Sequence, residues 1–290
     1  MISLILAIFS NSAESIVVRF SEDNLHNRYA ITMVNYLVAV VMCLFFIDWG
    51  KGFGIGGEYN LPLFLGIFNG ALFIAWLWLF QVSVRKNGAP LSATFTKLGV
   101  LLPTIGSIVV FAEQPGAVQY VGIAFALAAI VLFNLQTDEG GEAVADSESV
   151  KSAGGFSLLL IVILLIGGMA DFNSKIFESM GAADLDGLFL FYTFLVAFII
   201  SVVLFLRNNR AVNKNDIKYG ILLGVFNQLT TMFLLWAVMK LPASVVYPVY
   251  SVAVILTVSL VNGIIFKEHF NSLQWLAMAL VCVALVCLNI

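Results

Sequence analysis

Residues 119–135, QYVGIAFALAAIVLFNL, form an apolar run whose polar members are Gln119, Tyr120 and Asn134. A helix that rises 1.5 Å per residue needs about 20 such residues to cross roughly 30 Å of hydrocarbon. Similar runs recur along the chain, in which 61% of the 290 residues are hydrophobic and 11% are charged. The runs do not alternate as the strands of a membrane barrel do. The composition therefore predicts an all-α integral membrane protein.

The apolar runs and the breakers between them predict ten transmembrane segments. These segments are 2–20, 29–47, 61–83, 90–112, 117–136, 156–176, 186–206, 218–239, 243–266 and 272–290. The one long connection, residues 137–155, combines five Asp and Glu residues with Gly, Ser and Ala, a composition with too little apolar surface to fold. We therefore expect a first repeat over 1–136, an acidic flexible linker over 137–155 and a second repeat over 156–290.

Short motifs recur in the same order in both halves of the chain. Leu65-Gly-Ile-Phe-Asn69 returns as Leu223-Gly-Val-Phe-Asn227, and the Phe111-Ala-Glu113 turn returns as Phe266-Lys-Glu268. Their agreement in order and separation indicates duplication. Because five crossings are an odd number, the second copy must enter the membrane from the opposite side. The sequence thus predicts two inverted five-helix repeats, an architecture typical of secondary transporters.

This five-plus-five plan resembles the drug/metabolite transporter superfamily, particularly its EamA-type members. The resemblance also includes a fourth segment that contains Pro103 and ends in a turn at Glu113, followed by a fifth helix rich in small residues. The ninth segment departs from it, with Pro248 placed early and Val258 at the position that matches Pro103. The resemblance implies a transporter that exports or exchanges compounds such as amino acids, sugars or toxic analogues.

Four ionisable side chains lie within predicted segments, where each costs several kcal/mol unless it is paired or faces a water-filled cavity. They are Glu14, Lys97, Asp171 and Lys175. Glu14 shares a helix face with Asn11 and Ser15, and the equivalent face of the sixth segment carries Asp171, Ser174 and Lys175. Equivalent helices of inverted repeats could direct these groups to one central cavity.

Lys97 has an apolar repeat counterpart, Val252, so the fold itself does not require its charge. Two interpretations stay open for the charged residues. They bind substrate, or they form structural ion pairs, Lys97 with Glu14 and Asp171 with Lys175. Lys175 could also extend to the nearer membrane interface.

Three further polar residues complete the predicted substrate site: Asn227, Gln228 and Tyr250. Asn227 is the repeat equivalent of Asn69, so an interhelical hydrogen bond used in both halves is the competing explanation. Gln228 and Tyr250 have no polar counterparts, which favours a role with substrate.

No sequence pattern indicates catalysis, a metal or a cofactor. His26 and His269 have no ligand-like neighbours, and there is no GxxxxGK[ST] phosphate-binding loop. The formal net charge of −3 and the lack of a basic stripe argue against nucleic acid as a partner. We therefore expect no catalytic, cofactor-binding or metal-binding residues.

These features predict a secondary transporter that moves a small polar or amphipathic metabolite, such as an amino acid-like compound, by alternating access. Its partners would be that substrate, the lipid bilayer and protons, or a second substrate in exchange. The rival hypothesis is a membrane enzyme or biogenesis factor that acts on lipid-linked substrates. We expect a monomer or weak homo-oligomer in a prokaryotic inner membrane.

The positive-inside rule and the resemblance disagree on orientation. The connections after odd-numbered segments carry most of the Lys and Arg residues, which places both termini outside the cytoplasm. EamA-type proteins generally have a cytoplasmic N-terminus.

Overall fold

A computed structural model describes residues 1–22, 27–50, 56–87, 89–134, 158–208, 210–265 and 272–288. The described residues form α-helices in all ten predicted segments. They are α1 (Ile2–Glu22), α2 (Arg28–Cys43), α3 (Asn60–Asn87), α4 (Ala89–Leu98), α5 (Leu101–Val110), α6 (Ala117–Asn134), α7 (Leu158–Met180), α8 (Asp186–Arg207), α9 (Lys214–Val238), α10 (Ala243–Ile265) and α11 (Ser272–Leu288). The all-helical prediction is confirmed, whereas the predicted linker 137–155 lies outside the described residues.

Ten apolar helical stretches are present in the described residues. Five are both long and apolar enough to cross a membrane: Gly57–Phe80, Leu158–Met180, Asp186–Arg207, Lys214–Val238 and Ala243–Val261. Five more are apolar but shorter: Ile2–Val18, Arg28–Cys43, Phe95–Val110, Ala117–Leu132 and Trp275–Leu288. A bundle of this composition is a multi-pass membrane protein.

The fourth segment is broken at Gly99 and Val100, between α4 and α5. Pro103 has no backbone N–H to donate to the carbonyl of Gly99, and its ring crowds that carbonyl. The chain turns more tightly instead, and the Gly99 carbonyl accepts the backbone N–H of Leu102 at 3.0 Å. The break also brings Gly99 against Gly168 of α7, where a Cβ on Gly168 would lie 2.3 Å from the Gly99 carbonyl oxygen. The sequence predicts a single segment over 90–112, within which Pro103 marks a helix start or kink.

Two hydrophobic cores hold the bundle together. One contains buried residues from α1, α6, α9, α10 and α11, and the other contains buried residues from α2, α3, α7, α8 and α9. Each core takes helices from both halves of the chain, so the halves interleave. Burying apolar surface stabilises a protein by about 25 cal/mol per Å² when that surface would otherwise contact water. In a membrane the alternative contact is lipid, so close van der Waals packing between the helices contributes more of the stability.

Small residues allow close helix contacts at equivalent positions of the two halves. A Cβ on Gly66 of α3 would lie 2.7 Å from Tyr192 Cβ of α8. A Cβ on Gly224 of α9, the repeat equivalent of Gly66, would lie 2.5 Å from the Asn35 carbonyl oxygen of α2. Small residues at such contacts let helix backbones approach within the membrane.

Candidate functional site

Four helices surround the polar centre of the bundle: α1, α4, α7 and α10. α1 packs on α9 and α10, α4 packs on α3, α6 and α7, and α10 also packs on α5. These helices belong to the first, fourth, sixth and ninth predicted segments, so each half contributes its first and fourth segments. Both halves of the chain therefore contribute helices to this centre.

The Lys97 ammonium interacts electrostatically with two carboxylates, Asp171 on α7 and Glu14 on α1. Lys97 lies in the last turn of α4, next to the break. The negative end of the helix dipole stabilises a cation at that position. Within the described residues, Lys97 is in no ion pair of 4.0 Å or less with either carboxylate. The structure thus brings the three charges together without the direct Lys97–Glu14 pair expected of a purely structural role.

Three tyrosines border this charged group. Tyr250 of α10 interacts electrostatically with both Asp171 and Glu14, and Tyr36 of α2 interacts with Glu14. Tyr247 donates a hydrogen bond from its hydroxyl to the backbone carbonyl of Asp171 at 2.7 Å. Tyr250 belongs to the predicted site, whereas Tyr36 was missed. Its one sequence signal was its position beside Asn35, a polar residue at membrane depth.

Glu14, Lys97, Asp171 and Tyr250 lie deep in the bundle, yet all four are only half-buried. Part of the surface of each side chain is therefore not packed against neighbouring atoms. A polar internal space among charged side chains is the setting in which membrane proteins bind polar solutes.

Asn11 supports Glu14 on the preceding turn of α1. Its Nδ2 lies 3.5 Å from Glu14 Oε2, at the limit of a hydrogen bond. Ser15 and Ser174 instead donate to carbonyls of their own helices, those of Asn11 and Ala170. In each predicted polar triplet, the carboxylate is therefore the residue that interacts with Lys97: Glu14 on α1 and Asp171 on α7.

Lys175 lies away from Asp171 and forms a separate cluster. Its Nζ is 3.0 Å from Glu113 Oε1 and 2.5 Å from Glu178 Oε2, and its side chain is 8% exposed. The alternative Asp171–Lys175 ion pair is wrong, because Lys175 reaches toward the end of its helix and pairs with these two glutamates. Sequence reasoning singled out Glu113 as part of a repeated turn and of the family resemblance, without a role in ion pairing.

Glu113 also binds the first turn of α10. Its carboxylate accepts the backbone N–H groups of Ala243 and Ser244 at 3.1 and 2.9 Å and the Ser244 hydroxyl at 2.6 Å. Burial acts to raise the pKa of Glu113, but the hydrogen bonds from Ser244, Lys175 and Ala243 outweigh it and hold the pKa below its ordinary value. Glu113 is therefore an ionised cap on α10.

Asn227 and Gln228 of α9 lie against α2. Asn227 Nδ2 donates to Asn35 Oδ1 at 3.2 Å. Gln228 is fully buried, and its Nε2 faces Cys43 Sγ and Met232 Sδ at 3.9 and 3.8 Å. Gln228 Oε1 has no hydrogen-bond partner among the described residues. The structure thus places both residues in a helix–helix contact rather than beside Lys97.

The described residues contain no group of three or more His, Cys, Asp and Glu residues that could hold a metal ion. His26 and His269 lie outside the described residues.

Residues 153–290 match the EamA-like transporter family. An uncharacterized protein of Haemophilus influenzae is 25% identical over 295 residues, covering 99% of this chain and 97% of that protein. A solved crystal structure shares the fold with a TM-score of 0.74 at 12% identity, covering 99% of this chain and 94% of the other. Residues 153–290 are therefore similar to the EamA-like transporter family, and the chain shares its overall fold with the solved structure.

Proposed function

We propose that the chain is a secondary transporter that moves a small polar or amphipathic metabolite by alternating access. Its substrate would bind in the space lined by Glu14, Lys97, Asp171 and Tyr250. The observation that carries the proposal is the gathering of three charged side chains from α1, α4 and α7 without direct ion pairs between them. Charges held deep in a membrane protein without such partners are stabilised by what enters the cavity.

The pattern of helix contacts supports the proposed inverted repeat. The pair α1–α9 and the pair α3–α7 each join the first segment of one half to the third segment of the other half. The pairs α2–α9 and α3–α8 likewise join the second segment of one half to the third segment of the other. The pairs α2–α8 and α6–α11 each join two segments at the same position in their halves. Exchanging the halves leaves this set of contacts unchanged, as a two-fold axis between repeats requires.

The broken fourth segment supports a central substrate site. In transporters, discontinuous helices place helix ends at the midplane, where they contact ions and substrates. Here the break follows Lys97 by two residues, so the end of α4 and a cation lie together. Val252, the repeat counterpart of Lys97, is fully buried in the apolar core. The asymmetry gives the site one cation beside two carboxylates.

This combination suits a zwitterion such as an amino acid-like compound. A substrate carboxylate would bind the Lys97 ammonium, and a substrate ammonium would bind Glu14 or Asp171. Charge-assisted hydrogen bonds of this kind are roughly twice as strong as those between neutral groups. Tyr250 offers a hydroxyl and a ring beside both carboxylates.

The test is a thermal-shift screen of the purified protein against metabolites, followed by flux measurements in proteoliposomes. We expect at least one zwitterionic metabolite to stabilise the protein and to be transported, and Lys97→Met to abolish both effects. Val252→Met, a matched change at the equivalent position of the other half, should leave ligand stabilisation in place. Stabilisation and flux that persist in Lys97→Met would contradict the proposed site.

A further inference from the structure

Glu113 connects three separate parts of the bundle. It follows α5, it accepts three hydrogen bonds from Ala243 and Ser244 at the start of α10, and it pairs with Lys175 near the end of α7. The first backbone N–H groups of a helix have no partner within the helix, and the helix dipole makes that end positive. One carboxylate thus neutralises both the N-terminus of α10 and the Lys175 ammonium.

The backbone that presents Glu113 is strained. Ala112 has a φ of 52°, the one positive φ outside glycine among the described residues. A left-handed conformation costs a residue with a Cβ roughly 1–2 kcal/mol. The turn is held by a hydrogen bond from the Glu113 N–H to the Ser107 carbonyl at 3.2 Å. Strained residues of this kind cluster at active sites, ligand clamps and switch regions.

The cluster lies next to the proposed substrate site. Lys175 is one helical turn beyond Asp171 on α7, and Tyr247 is one turn beyond Ala243 on α10. The hydrogen bond from Tyr247 to the Asp171 carbonyl is a second link between α7 and α10 on this path. α7 and α10 belong to the two sides of the central space, so these contacts hold its walls together at one end.

We propose that Glu113, Lys175 and the first turn of α10 form a latch that closes the pathway at this end of the bundle and opens once in each transport cycle. The proposal rests on the proposed transport function. When the latch opens, Glu113 leaves Ser244, and α7 and α10 separate at Lys175. The end that opens is the one with few Lys and Arg residues, opposite the connections that follow the odd-numbered segments.

The energetics fit a contact that is made and broken repeatedly. The Glu113 and Lys175 side chains keep 14% and 8% of their surface exposed. When they separate, water can solvate the carboxylate, the ammonium and the freed N–H groups. A fully buried ion pair would leave uncompensated charges and hold far more firmly. Lys175 also keeps Glu178 as a partner on its own helix when Glu113 moves away.

The test measures access to a cysteine placed just inside the latch. Cys43, Cys282 and Cys287 are first replaced, and Ser174→Cys is introduced between Asp171 and Lys175. A membrane-impermeant maleimide is then added to one face of membrane vesicles or to the other. We expect Glu113→Gln to speed labelling from the latch end at least about tenfold, as for a contact of about 1.4 kcal/mol, and to slow labelling from the opposite face. Lys175→Met, which leaves Glu113 on α10 but frees α7, should act in the same direction.

Glu178→Gln is the matched control, because it removes the other carboxylate that pairs with Lys175 and leaves every contact to α10. It should change labelling less than about twofold. Unchanged labelling in both Glu113→Gln and Lys175→Met would overturn the latch. Labelling needs no substrate, so a failure of the latch proposal can be distinguished from a failure of the proposed transport function. A protein that labels as expected but carries no metabolite would refute the transport function alone.

Discussion

The Lys175 ammonium lies 3.0 Å from a Glu113 carboxylate oxygen, although the two residues belong to opposite halves of the chain. This pairing keeps Lys175 away from Asp171, one turn earlier on the same helix. Asp171 interacts electrostatically with Lys97 instead. The bundle thus separates its buried charges into a central group and a closing group.

Acid should destabilise the closed bundle through Glu113. Its pKa in the folded protein lies below the ordinary value of 4.5, so the carboxylate binds fewer protons folded than unfolded. Its contribution to stability is therefore complete above pH 4.5 and is lost as the pH falls through the depressed pKa. Thermal unfolding in detergent should show this acid loss in the parent and a smaller one in Glu113→Gln, which should itself lose about 1–3 kcal/mol near neutral pH. Equal acid profiles for the two proteins would contradict the assignment.

Lys97→Met should fold but fail to transport. The equivalent position in the second half holds Val252, so an apolar side chain fits the architecture. We expect a monodisperse protein in detergent with flux reduced more than about tenfold, because the charge that binds substrate has gone. Aggregation of Lys97→Met that is rescued by Glu14→Gln would instead establish a structural role for the charge pair.

Transport should be coupled to protons through Glu14 or Asp171. The solvation of both carboxylates and their distance from Lys97 change when access alternates, so a proton can be taken up on one side and released on the other. A pH gradient imposed on proteoliposomes should drive substrate accumulation in the parent. Glu14→Gln or Asp171→Asn should abolish the coupling, and the isosteric change should leave the fold intact. If the parent neither uses the gradient nor dissipates it with substrate, the transporter is an exchanger without protons.

Gly168→Ala should damage the bundle far more than Gly167→Ala. A Cβ on Gly168 would lie 2.3 Å from the Gly99 carbonyl oxygen, which is backbone and cannot move alone. A Cβ on Gly167 would meet only the Trp76 ring, at 3.1 Å, and that side chain can shift by a few tenths of an ångström. We expect a loss of about 1–3 kcal/mol for Gly168→Ala and a lower melting temperature. Similar melting temperatures for the two variants would show that α4 and α7 approach less closely.

Both termini should lie outside the cytoplasm. The odd-numbered connections carry ten Lys and Arg residues and the even-numbered ones carry Lys51 and Lys240. The ten are Arg19, Arg28, Arg85, Lys86, Lys151, Arg207, Arg210, Lys214, Lys218 and Lys267. A reporter fused after Ile290 that is active only in the cytoplasm should therefore be silent. An active fusion would establish the orientation that the EamA-type resemblance implies, and would place the latch on the cytoplasmic side.

The ten helical segments could be predicted because each one is a long apolar run, and a membrane allows few structures other than a helix for such a run. The pairing of Lys175 could not. Its nearest carboxylate in the sequence at helical spacing was Asp171, but the choice among Asp171, Glu178 and Glu113 depends on the direction of a flexible side chain and on how α5 and α10 pack.

Glu14, Lys97 and Asp171 were predicted from the cost of burying charge, which applies wherever the helices lie. Asn227 and Gln228 were chosen by the same rule, yet both lie between α9 and α2. A neutral amide costs less to bury than a charge, so its presence at membrane depth says less about a cavity. Glu113 was outside every apolar run, and its signals were the repetition of its turn in the second half and the place of that turn in the family resemblance.

The break between α4 and α5 makes α5 a lever with Glu113 at its far end. α5 has ten residues and is therefore about 15 Å long. A rotation of about 10° at the Gly99–Val100 joint would move its end by roughly 2.6 Å, which is enough to separate an ion pair of 3.0 Å. The joint is spanned by tighter turn-type hydrogen bonds, from the Val100 N–H to the Lys97 carbonyl at 3.4 Å and from the Leu102 N–H to the Gly99 carbonyl at 3.0 Å, whose geometry is poorer than that of α-helical bonds. A change of charge at Lys97 on one side of the joint can thus be converted into a displacement of Glu113 on the other.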